Sequence, residues 1–173
     1  MPSEQQGAAQ PQATLVIIKP DALCRGLTGA VITRLEELRL QLIGAKIVRV
    51  SRELAEEHYK ALREKPFFGE LIQHICGTLH NVEVVPVLVY YGEDAIARVR
   101  QVVGATHPEK AEPTSLRGAF GRMTTAGIME NVIHSSSDEQ DAVREIKLWF
   151  RPEELVVKLY PTTESARRAL QWA

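Results

Sequence analysis

The sequence predicts an α+β protein, an α/β sandwich of the ferredoxin-like βαββαβ type built on a four-stranded antiparallel sheet. Stretches typical of strands and helices alternate along the chain in the order β-α-β-(αα)-β-α-β-α. Four strands are too few for a doubly wound nucleotide-binding fold, whereas the split βαβ arrangement accommodates this order. We therefore expect helices packed on one face of the sheet, with an extra helical hairpin between strands 2 and 3.

The first strand is predicted over residues 14–18, because the run Thr-Leu-Val-Ile-Ile resembles a strand that is buried on both faces. Pro20 ends this strand, since proline cannot continue a central strand. Ser51 is well placed to cap a helix, because its hydroxyl can accept a hydrogen bond from the first turn. The other elements of this half are a helix over 26–40, a strand over 43–50, a helix over 51–63 and a helix over 68–75.

The second half begins with a third strand over residues 82–91, in which Pro86 suggests an edge position or a bulge. Residues 104–130 contain several prolines and glycines and predict a long irregular stretch, which in a compact domain is usually functional. The other elements are a helix over 94–103, a strand over 131–134 and a last helix whose capping box is Ser136 with Glu139 or Ser137 with Gln140.

Composition places the 173-residue chain among ordinary globular proteins, with 45% hydrophobic residues and a net charge of −1. A strongly basic nucleic-acid binder, a disordered acidic chain and a disulfide scaffold are excluded. The length suits one domain, predicted over residues 14–157 between a disordered lead-in over 1–13 and an extension over 158–173. The two cysteines lie outside any CxxC motif, and no membrane span or secretory signal is evident, so we expect a cytoplasmic protein.

One of the five histidines stands in a context that suggests chemistry, although the common phosphate-loop, zinc and serine-hydrolase motifs are absent. His134 ends an apolar strand directly before a serine-rich helix start, where free backbone N–H groups attract anions. Glu145 on that helix could fix the imidazole tautomer and leave the other ring nitrogen free to attack a phosphoryl group. The alternative is an exposed histidine and an ordinary helical glutamate.

Phosphate-binding candidates lie on and around the long irregular stretch. Arginine matches phosphate oxygens with paired N–H donors, and a hydroxyl adds a neutral donor, although each of these residues alone is more often a solvated surface group. The candidates are Lys19, Arg100, Thr106 and Arg117. Phe67 and Phe68 supply one ring more than the predicted helix face needs, so one of them could stack on a planar base, while core packing of both is the alternative.

Several segments of the chain form a recognisable series: LVIIKPDA at 15–22, HY at 58–59, KPFF at 65–68, GATHP at 104–108, SLRGAF at 115–120, NVIHSSSD at 131–138 and REIKLWF at 144–150. Taken in this order, they resemble the nucleoside diphosphate kinase family over residues 14–157. The resemblance implies a ferredoxin-like phosphotransferase that moves the γ-phosphoryl group of ATP or another nucleoside triphosphate to a nucleoside diphosphate. It implies ping-pong kinetics through a phosphohistidine, Mg²⁺ carried by the nucleotide phosphates rather than by protein ligands, and a homo-oligomer, either hexamer or tetramer.

The resemblance also assigns roles to individual residues. By this resemblance His134 would be the nucleophile and Glu145 would orient it. Ser136 would hydrogen-bond nearby, with Glu145 as its expected partner, and Tyr59 would line the site. Lys19 contacts the ribose hydroxyl and the transferred phosphate, Asn131 binds the sugar hydroxyl, Arg100, Thr106 and Arg117 hold the phosphates, and Phe67 with Leu71 contacts the base.

The sequence departs from the family pattern in two segments that are longer than usual, between Ile75 and Val84 and between Phe120 and Asn131. Substituted positions are Lys65, Ala119, Ser135 and Ser137. We expect these changes to affect base contacts, lid geometry and subunit packing more than chemistry. A catalytically weak member acting as a nucleotide-binding or protein-interaction module is the alternative, and an RNA-binding split-βαβ module is disfavoured by the net charge of −1.

Overall fold

The computed structural model describes residues 11–163. In chain order the elements are β1 (Pro11–Ile18), α1 (Pro20–Cys24), α2 (Thr28–Glu36), β2 (Gln41–Arg49), α3 (Arg52–His58), α4 (Phe68–Ile75), β3 (Val84–Glu93), α5 (Ala95–Val103), α6 (Leu116–Phe120), β4 (Arg122–Met123), β5 (Met129–Glu130), β6 (Ile133–Ser135) and α7 (Glu139–Trp149). None of the helices in this part of the chain has the length and apolarity needed to cross a membrane.

The main sheet has four strands in the order β2-β3-β1-β6, and every neighbouring pair is antiparallel. β1 lies at its centre and pairs with β3 from Pro11 opposite Glu93 to Ile17 opposite Val87. On its other side β1 pairs with β6, which places Ile17 opposite His134 as well. The predicted ferredoxin-like α+β fold is confirmed, including the helical hairpin of α3 and α4 between β2 and β3.

Helices cover both faces of the sheet, so the expectation that they pack on one face is wrong. Leu15 and Ile17 of β1 join the core cluster formed with α3, α4 and α7, whereas Val16 and Ile18 join the cluster formed with α1, α2 and α5. Successive side chains of a strand point to opposite faces, and all four of these are fully buried. The apolar run in β1 therefore reflects a strand between two helical layers.

The first predicted boundary also moves. β1 begins at Pro11 rather than Thr14, and residues 11–13 pair with β3 instead of belonging to a disordered lead-in. The rest of that lead-in, residues 1–10, lies outside the described residues, as do residues 164–173 of the predicted extension.

Pro86 lies in an internal strand, so its predicted edge position is wrong. Pro86 pairs with Ile47 of β2, while the pairing of β3 with β1 ends at Val87. The proline therefore has a neighbouring strand on only one side, and its missing N–H breaks no hydrogen bond to β1. The register shift in this part of the sheet occurs on β2 between Leu42 and Gly44, and not at Pro86.

The stretch over 104–130 is better ordered than its sequence suggests. It contains α6 and a small antiparallel hairpin of β4 with β5, closed by a hydrogen bond from Ile128 N to the Thr124 hydroxyl. Ser51 caps α3 as predicted by accepting from Leu54 N at 3.2 Å. The last helix, however, is capped by Asp138 and not by either predicted serine, because the Asp138 carboxylate accepts from the N–H of Asp141 at 2.8 Å.

Candidate active site

His134 is held by a short chain of hydrogen bonds that begins on the central strand. The N–H of Leu15 in β1 donates to Ser136 Oγ at 3.1 Å, and that hydroxyl donates to Glu145 Oε2 at 2.8 Å. The same carboxylate oxygen lies 3.0 Å from His134 Nε2. β6 presents the His134 imidazole on the face of the sheet that α7 covers. The strand and the helix together therefore bring His134 and the Glu145 carboxylate into contact.

This arrangement fixes which ring nitrogen of His134 carries the proton. The oxygen of the Ser136 hydroxyl accepts a hydrogen bond from Leu15 N–H, which has no other role than donor. The single proton of that hydroxyl is therefore donated to Glu145. A carboxylate oxygen accepts, so His134 Nε2 is the donor of the 3.0 Å contact. Nδ1 then carries the free lone pair. The contact thus leaves a neutral imidazole with its nucleophilic nitrogen at Nδ1.

Electrostatics keep His134 neutral. Burial, followed by the cations of Lys19 and Arg117, lowers its pKa to about 3, far below the usual 6.5. Burial raises the pKa of Glu145, although His58 and the hydrogen bond from Ser136 oppose that shift. The His134 side chain keeps 15% of its surface exposed, which is enough opening for a reacting group to approach.

His58 is a second histidine at this site to which the sequence interpretation gave no role. Its ring centroid lies 4.5 Å from that of His134, edge to face, and its Nδ1 accepts a hydrogen bond from Trp149 Nε1 at 3.1 Å. Burial, followed by the nearby His134, lowers the pKa of His58 well below its usual value, so its 3.9 Å approach to Glu145 is not an ion pair. The signal for His58 in the sequence was its place beside Tyr59 in the HY pair.

The residues that lead into His134 form a tight, strained turn. Ile133 N–H donates to Asn131 O at 2.7 Å, and the central Val132 has a φ of +56°. Left-handed backbone is unfavourable for a β-branched residue and costs about 1–3 kcal/mol. Both polar groups of Val132 are held, since its N–H donates to Asp21 Oδ2 at 2.9 Å and its carbonyl accepts from Lys19 N at 2.9 Å.

Lys19 and Asn131 form a polar pair at the end of β1. Lys19 Nζ donates to Asn131 Oδ1 at 2.6 Å, and Asn131 Nδ2 donates to the carbonyl of Thr106 at 3.0 Å. Burial, followed by the charge of Arg117, lowers the Lys19 pKa to about 8, although Asp21 opposes the shift. The positive charge of Lys19 is buried and only partly balanced by nearby negative charge, so the lysine is suited to bind an anionic ligand.

Arg117 and Tyr59 carry buried polar atoms that no described residue satisfies. Arg117 donates to Gly104 O at 3.0 Å and Ile133 O at 2.9 Å, yet its Nε has no partner. The Tyr59 hydroxyl is likewise buried and unbonded. Buried donors without acceptors are rare in native proteins, and a bound phosphate would satisfy them. The side chain of Arg100 lines the same cleft.

These groups open into a cleft of about 600 Å³. Its larger apolar lining residues are Leu62, Phe67, Leu71 and Met129. Phe67 precedes α4 with 52% of its surface exposed, an unusual degree for a phenylalanine beside a cleft. A larger groove of about 790 Å³ follows the segment 152–163, but no histidine or arginine lines it among the described residues.

The structure brings all of the predicted site residues together. Those that line the cleft are Lys19, Tyr59, Phe67, Leu71, Arg100, Thr106, Arg117, Asn131, His134 and Glu145. Ser136 does not line the cleft itself but donates a hydrogen bond to Glu145, which does. The sequence interpretation missed Arg144 and the hairpin residues Gly127 and Met129, which also line it. Contacts between distant segments carry no local pattern, so these residues had no signal of their own.

A neutral imidazole that faces the buried cations of Lys19 and Arg117, on a ferredoxin-like sheet, is the arrangement expected of a phosphotransferase. The comparisons with known proteins identify which family of that class this is. The family model for nucleoside diphosphate kinase matches residues 12–155, and the chain belongs to the nucleoside diphosphate kinase family. The predicted family and enzyme class are thereby confirmed.

Similar proteins cover nearly the whole domain. A nucleoside diphosphate kinase of Pyrococcus horikoshii is 47% identical over 147 residues, 85% of this chain and 90% of its own length. The structure of a Halobacterium salinarum enzyme in complex with CDP is 39% identical with a TM-score of 0.77, covering 86% of this chain and 93% of that one. A transition-state mimic of the Borrelia burgdorferi enzyme with vanadate and ADP is 34% identical with a TM-score of 0.76, covering 88% and 93%.

Proposed function

We propose that this kinase moves the γ-phosphoryl group of a nucleoside triphosphate, such as ATP, to a nucleoside diphosphate by a ping-pong reaction through a phosphohistidine on His134. The observation that carries the proposal is the hydrogen bond of His134 Nε2 to Glu145 at 3.0 Å, which leaves the lone pair of the ring on Nδ1. Solved relatives with bound CDP, or with vanadate and ADP, support a nucleotide as the ligand.

Each half-reaction exchanges one bond to phosphorus. The lone pair of His134 Nδ1 forms a P–N bond to the γ-phosphorus while the bond to the bridging oxygen breaks and the nucleoside diphosphate leaves. A terminal oxygen of a second nucleoside diphosphate then attacks, which forms the new P–O bond and returns the lone pair to Nδ1. The proton stays on Nε2 throughout, bound to Glu145, so the reaction needs no proton acceptor.

The cations of the cleft would stabilise the charge that spreads over the transferred phosphoryl oxygens. Lys19, Arg100, Arg117 and the Thr106 hydroxyl supply donors of fixed position, and the unsatisfied Nε of Arg117 and hydroxyl of Tyr59 suit phosphate oxygens. Preorganised donors of this kind give most of the acceleration in phosphoryl transfer, because the chemistry asks mainly for positioning and charge stabilisation.

The sugar and base would occupy the rest of the cleft. Asn131, bonded to Lys19 at 2.6 Å, lies where it can bind a sugar hydroxyl together with that lysine. The exposed face of Phe67, with Leu71 beside it, offers a platform on which a base can stack. Stacking tolerates every base, so we expect broad nucleotide use.

Mg²⁺ would be carried by the nucleotide phosphates. In the part of the chain that the structure describes, His58, His134 and Glu145 form the one cluster able to ligate a metal, with ligand atoms within 4.8 Å of one another. His58 Nδ1 is already used by Trp149, and Glu145 Oε2 by Ser136, while Mg²⁺ prefers oxygen ligands. Mg²⁺ on the phosphates would neutralise charge as they approach the cations.

A homo-oligomer, hexamer or tetramer, and a cytoplasmic location complete the proposal. β2 forms an outer edge of the sheet, and it exposes Ile47 and Leu42, which favours association through that side of the molecule. Cys24 and Cys76 are both free thiols, as is usual in a reducing compartment. Sedimentation velocity would measure the assembly.

The direct test is phosphoryl transfer to and from the protein. Purified protein is incubated with Mg²⁺ and γ-labelled ATP, and we expect acid-labile, base-stable label that passes to GDP on a chase. His134→Ala should carry no label, whereas the matched variant His80→Ala should be labelled as the wild type is. A folded wild type that binds nucleotide but takes no label would overturn the proposal and favour a catalytically weak binding module.

A further inference from the structure

A buried histidine–carboxylate pair lies outside the relay that holds His134. His74 on α4 places Nε2 3.0 Å from Asp21 Oδ1 on α1, and both side chains are buried, with residue exposures of 4% and 0%. Phosphoryl transfer uses neither residue directly. A buried ionised group is costly unless it is paired and hydrogen-bonded, so a pair of this kind needs a reason in the structure.

The reason lies at the second oxygen of the carboxylate. Asp21 Oδ2 accepts the N–H of Val132 at 2.9 Å, and Val132 is the left-handed residue of the strained turn between Asn131 and His134. One carboxylate oxygen of Asp21 therefore hydrogen-bonds to the turn, and the other hydrogen-bonds to His74. Removing the histidine would leave a buried carboxylate oxygen without its donor and weaken the hold on Val132.

The ionisation of Asp21 agrees with this arrangement. Burial alone would raise the pKa of its carboxyl group, but the hydrogen bond and charge of His74, followed by the charge of Lys19 and the N–H of Val132, outweigh burial and lower it. An ionised carboxylate accepts at both oxygens, so His74 Nε2 and Val132 N are both donors.

The turn matters because it sets the spacing of two groups that the proposed reaction uses. Asn131 stands on one side of Val132 and is fixed by Lys19 and by Thr106 O, at 2.6 and 3.0 Å. His134 stands on the other side and is fixed by Glu145. Relaxation of Val132 to a right-handed or extended conformation would move these groups relative to each other, and displacements of about 1 Å can cost 100-fold in rate.

We propose that His74 is a positioning residue, which acts through Asp21 to keep the Asn131–Val132–Ile133 turn in its strained conformation and so sets His134 in line with the phosphoryl group. The proposal rests on the proposed role of His134. His74 itself lines the cleft at its wall, and α4 also carries Leu71, so nucleotide binding and nucleophile position share one helix.

Two variants separate positioning from packing. His74→Phe keeps a planar ring in the space but removes the donor to Asp21, whereas His74→Gln keeps an N–H donor. We expect the rate constant of His134 phosphorylation at saturating ATP, measured by rapid quench, to fall about 10- to 100-fold in His74→Phe. We expect His74→Gln to recover most of that loss, because its amide can donate to Asp21.

His80→Phe is the matched control. The ring of His80 lies 4.9 Å from that of His74, centroid to centroid. His80→Phe makes the same chemical change as His74→Phe but leaves the hydrogen bond between His74 and Asp21 in place. We expect its phosphorylation rate to stay within about twofold of the wild type. Circular dichroism and urea unfolding would show that each variant is folded under the assay conditions.

A second readout does not depend on turnover. In protein with ¹⁵N-labelled histidine, the Nδ1 and Nε2 shifts of His134 report its tautomer, and we expect His74→Phe to show a mixture where the wild type shows protonated Nε2. A folded His74→Phe with wild-type rate and unchanged His134 shifts would overturn the proposal, as would a His74→Gln no better than His74→Phe. Absence of label on the wild type would overturn the phosphohistidine route alone, and the His134 shifts would still decide on His74.

Discussion

Lys19 Nζ donates to Asn131 Oδ1 at 2.6 Å, a bond between residues 112 positions apart in the sequence. It joins the end of the central strand to the turn that leads into His134. The lysine is almost fully buried, with 6% of its surface exposed, and Asn131 is a neutral partner that does not balance its charge. The pair therefore holds a cation where its protonation is sensitive to pH.

Activity should fall at alkaline pH because Lys19 loses its proton there. Burial, followed by the charge of Arg117, lowers its pKa to about 8, so the ammonium form that attracts phosphate dominates below that pH and is lost above it. We expect kcat/KM, which reports the free enzyme, to decline above about pH 8. A pH profile from 6 to 10 with ATP and a saturating second substrate measures it.

Lys19→Arg should move this alkaline decline to higher pH, since guanidinium stays protonated. The exchange Lys147→Arg makes the same change on an exposed part of α7 and should leave the profile as in the wild type. A wild-type kcat/KM that is constant to pH 10 would show that Lys19 does not control the alkaline limb.

Glu145→Gln should slow phosphorylation of His134 while leaving the protein folded. The amide can donate a hydrogen bond as well as accept one, so the tautomer of His134 with its proton on Nε2 is no longer enforced. We expect the phosphorylation rate constant to fall at least about 10- to 100-fold, the loss seen when a hydrogen-bond partner that orients a metal-binding imidazole is removed.

Glu139→Gln is the matched control for that variant, because Glu139 lies in the first turn of the same helix and is exposed. Its rate should stay within about twofold of the wild type. Equal rates in Glu145→Gln and Glu139→Gln would contradict a role for the carboxylate.

His134 should stay neutral well into the acid range. Its pKa is lowered to about 3 by burial and then by Lys19 and Arg117, so the imidazole of the folded protein binds no proton between pH 8 and pH 5. We expect constant ¹⁵N shifts for both ring nitrogens of His134 across that range. Protonation with a midpoint near 6.5 would instead mean that the cations and burial do not act on the ring as the structure indicates.

Local patterns in the sequence were sufficient for some of these features. The apolar run before Lys19 predicted a buried strand, Ser51 predicted a cap, and the strand end at His134 followed by a helix predicted the contact with Glu145. In each case the interacting groups are close in sequence or lie on one element, so periodicity and capping rules reach them.

Other features depend on contacts between distant segments. The bond from His74 to Asp21 spans 53 positions, and the two residues follow no shared pattern. Pro86 misled the interpretation for a related reason, because its effect depends on where the neighbouring strand ends, which the sequence of β3 does not contain. The apolar run of β1 predicted a strand buried on both faces, which requires a layer of helices on each face of the sheet, but the sequence interpretation placed helices on only one face.

Phe67 and Phe68 offer a matched pair in which neighbouring phenylalanines should respond differently. Phe67 is 52% exposed beside the cleft, whereas Phe68 is partly buried against the core cluster. If Phe67 stacks on the base, Phe67→Ala loses about 1–3 kcal/mol of binding, which is about 5- to 150-fold in KM. We expect that increase for ATP, GTP and CTP alike, with little change in kcat or in the free energy of unfolding.

Phe68→Ala should do the reverse. It removes a ring that packs on the core, so the free energy of unfolding should drop, by less than the roughly 3–5 kcal/mol of a fully buried phenylalanine, while KM stays near the wild-type value. Urea unfolding and steady-state kinetics on both variants give the four numbers needed. If Phe67→Ala left KM unchanged for every nucleotide, the exposed ring would have to serve something other than the base, because its degree of exposure leaves it little part in the core.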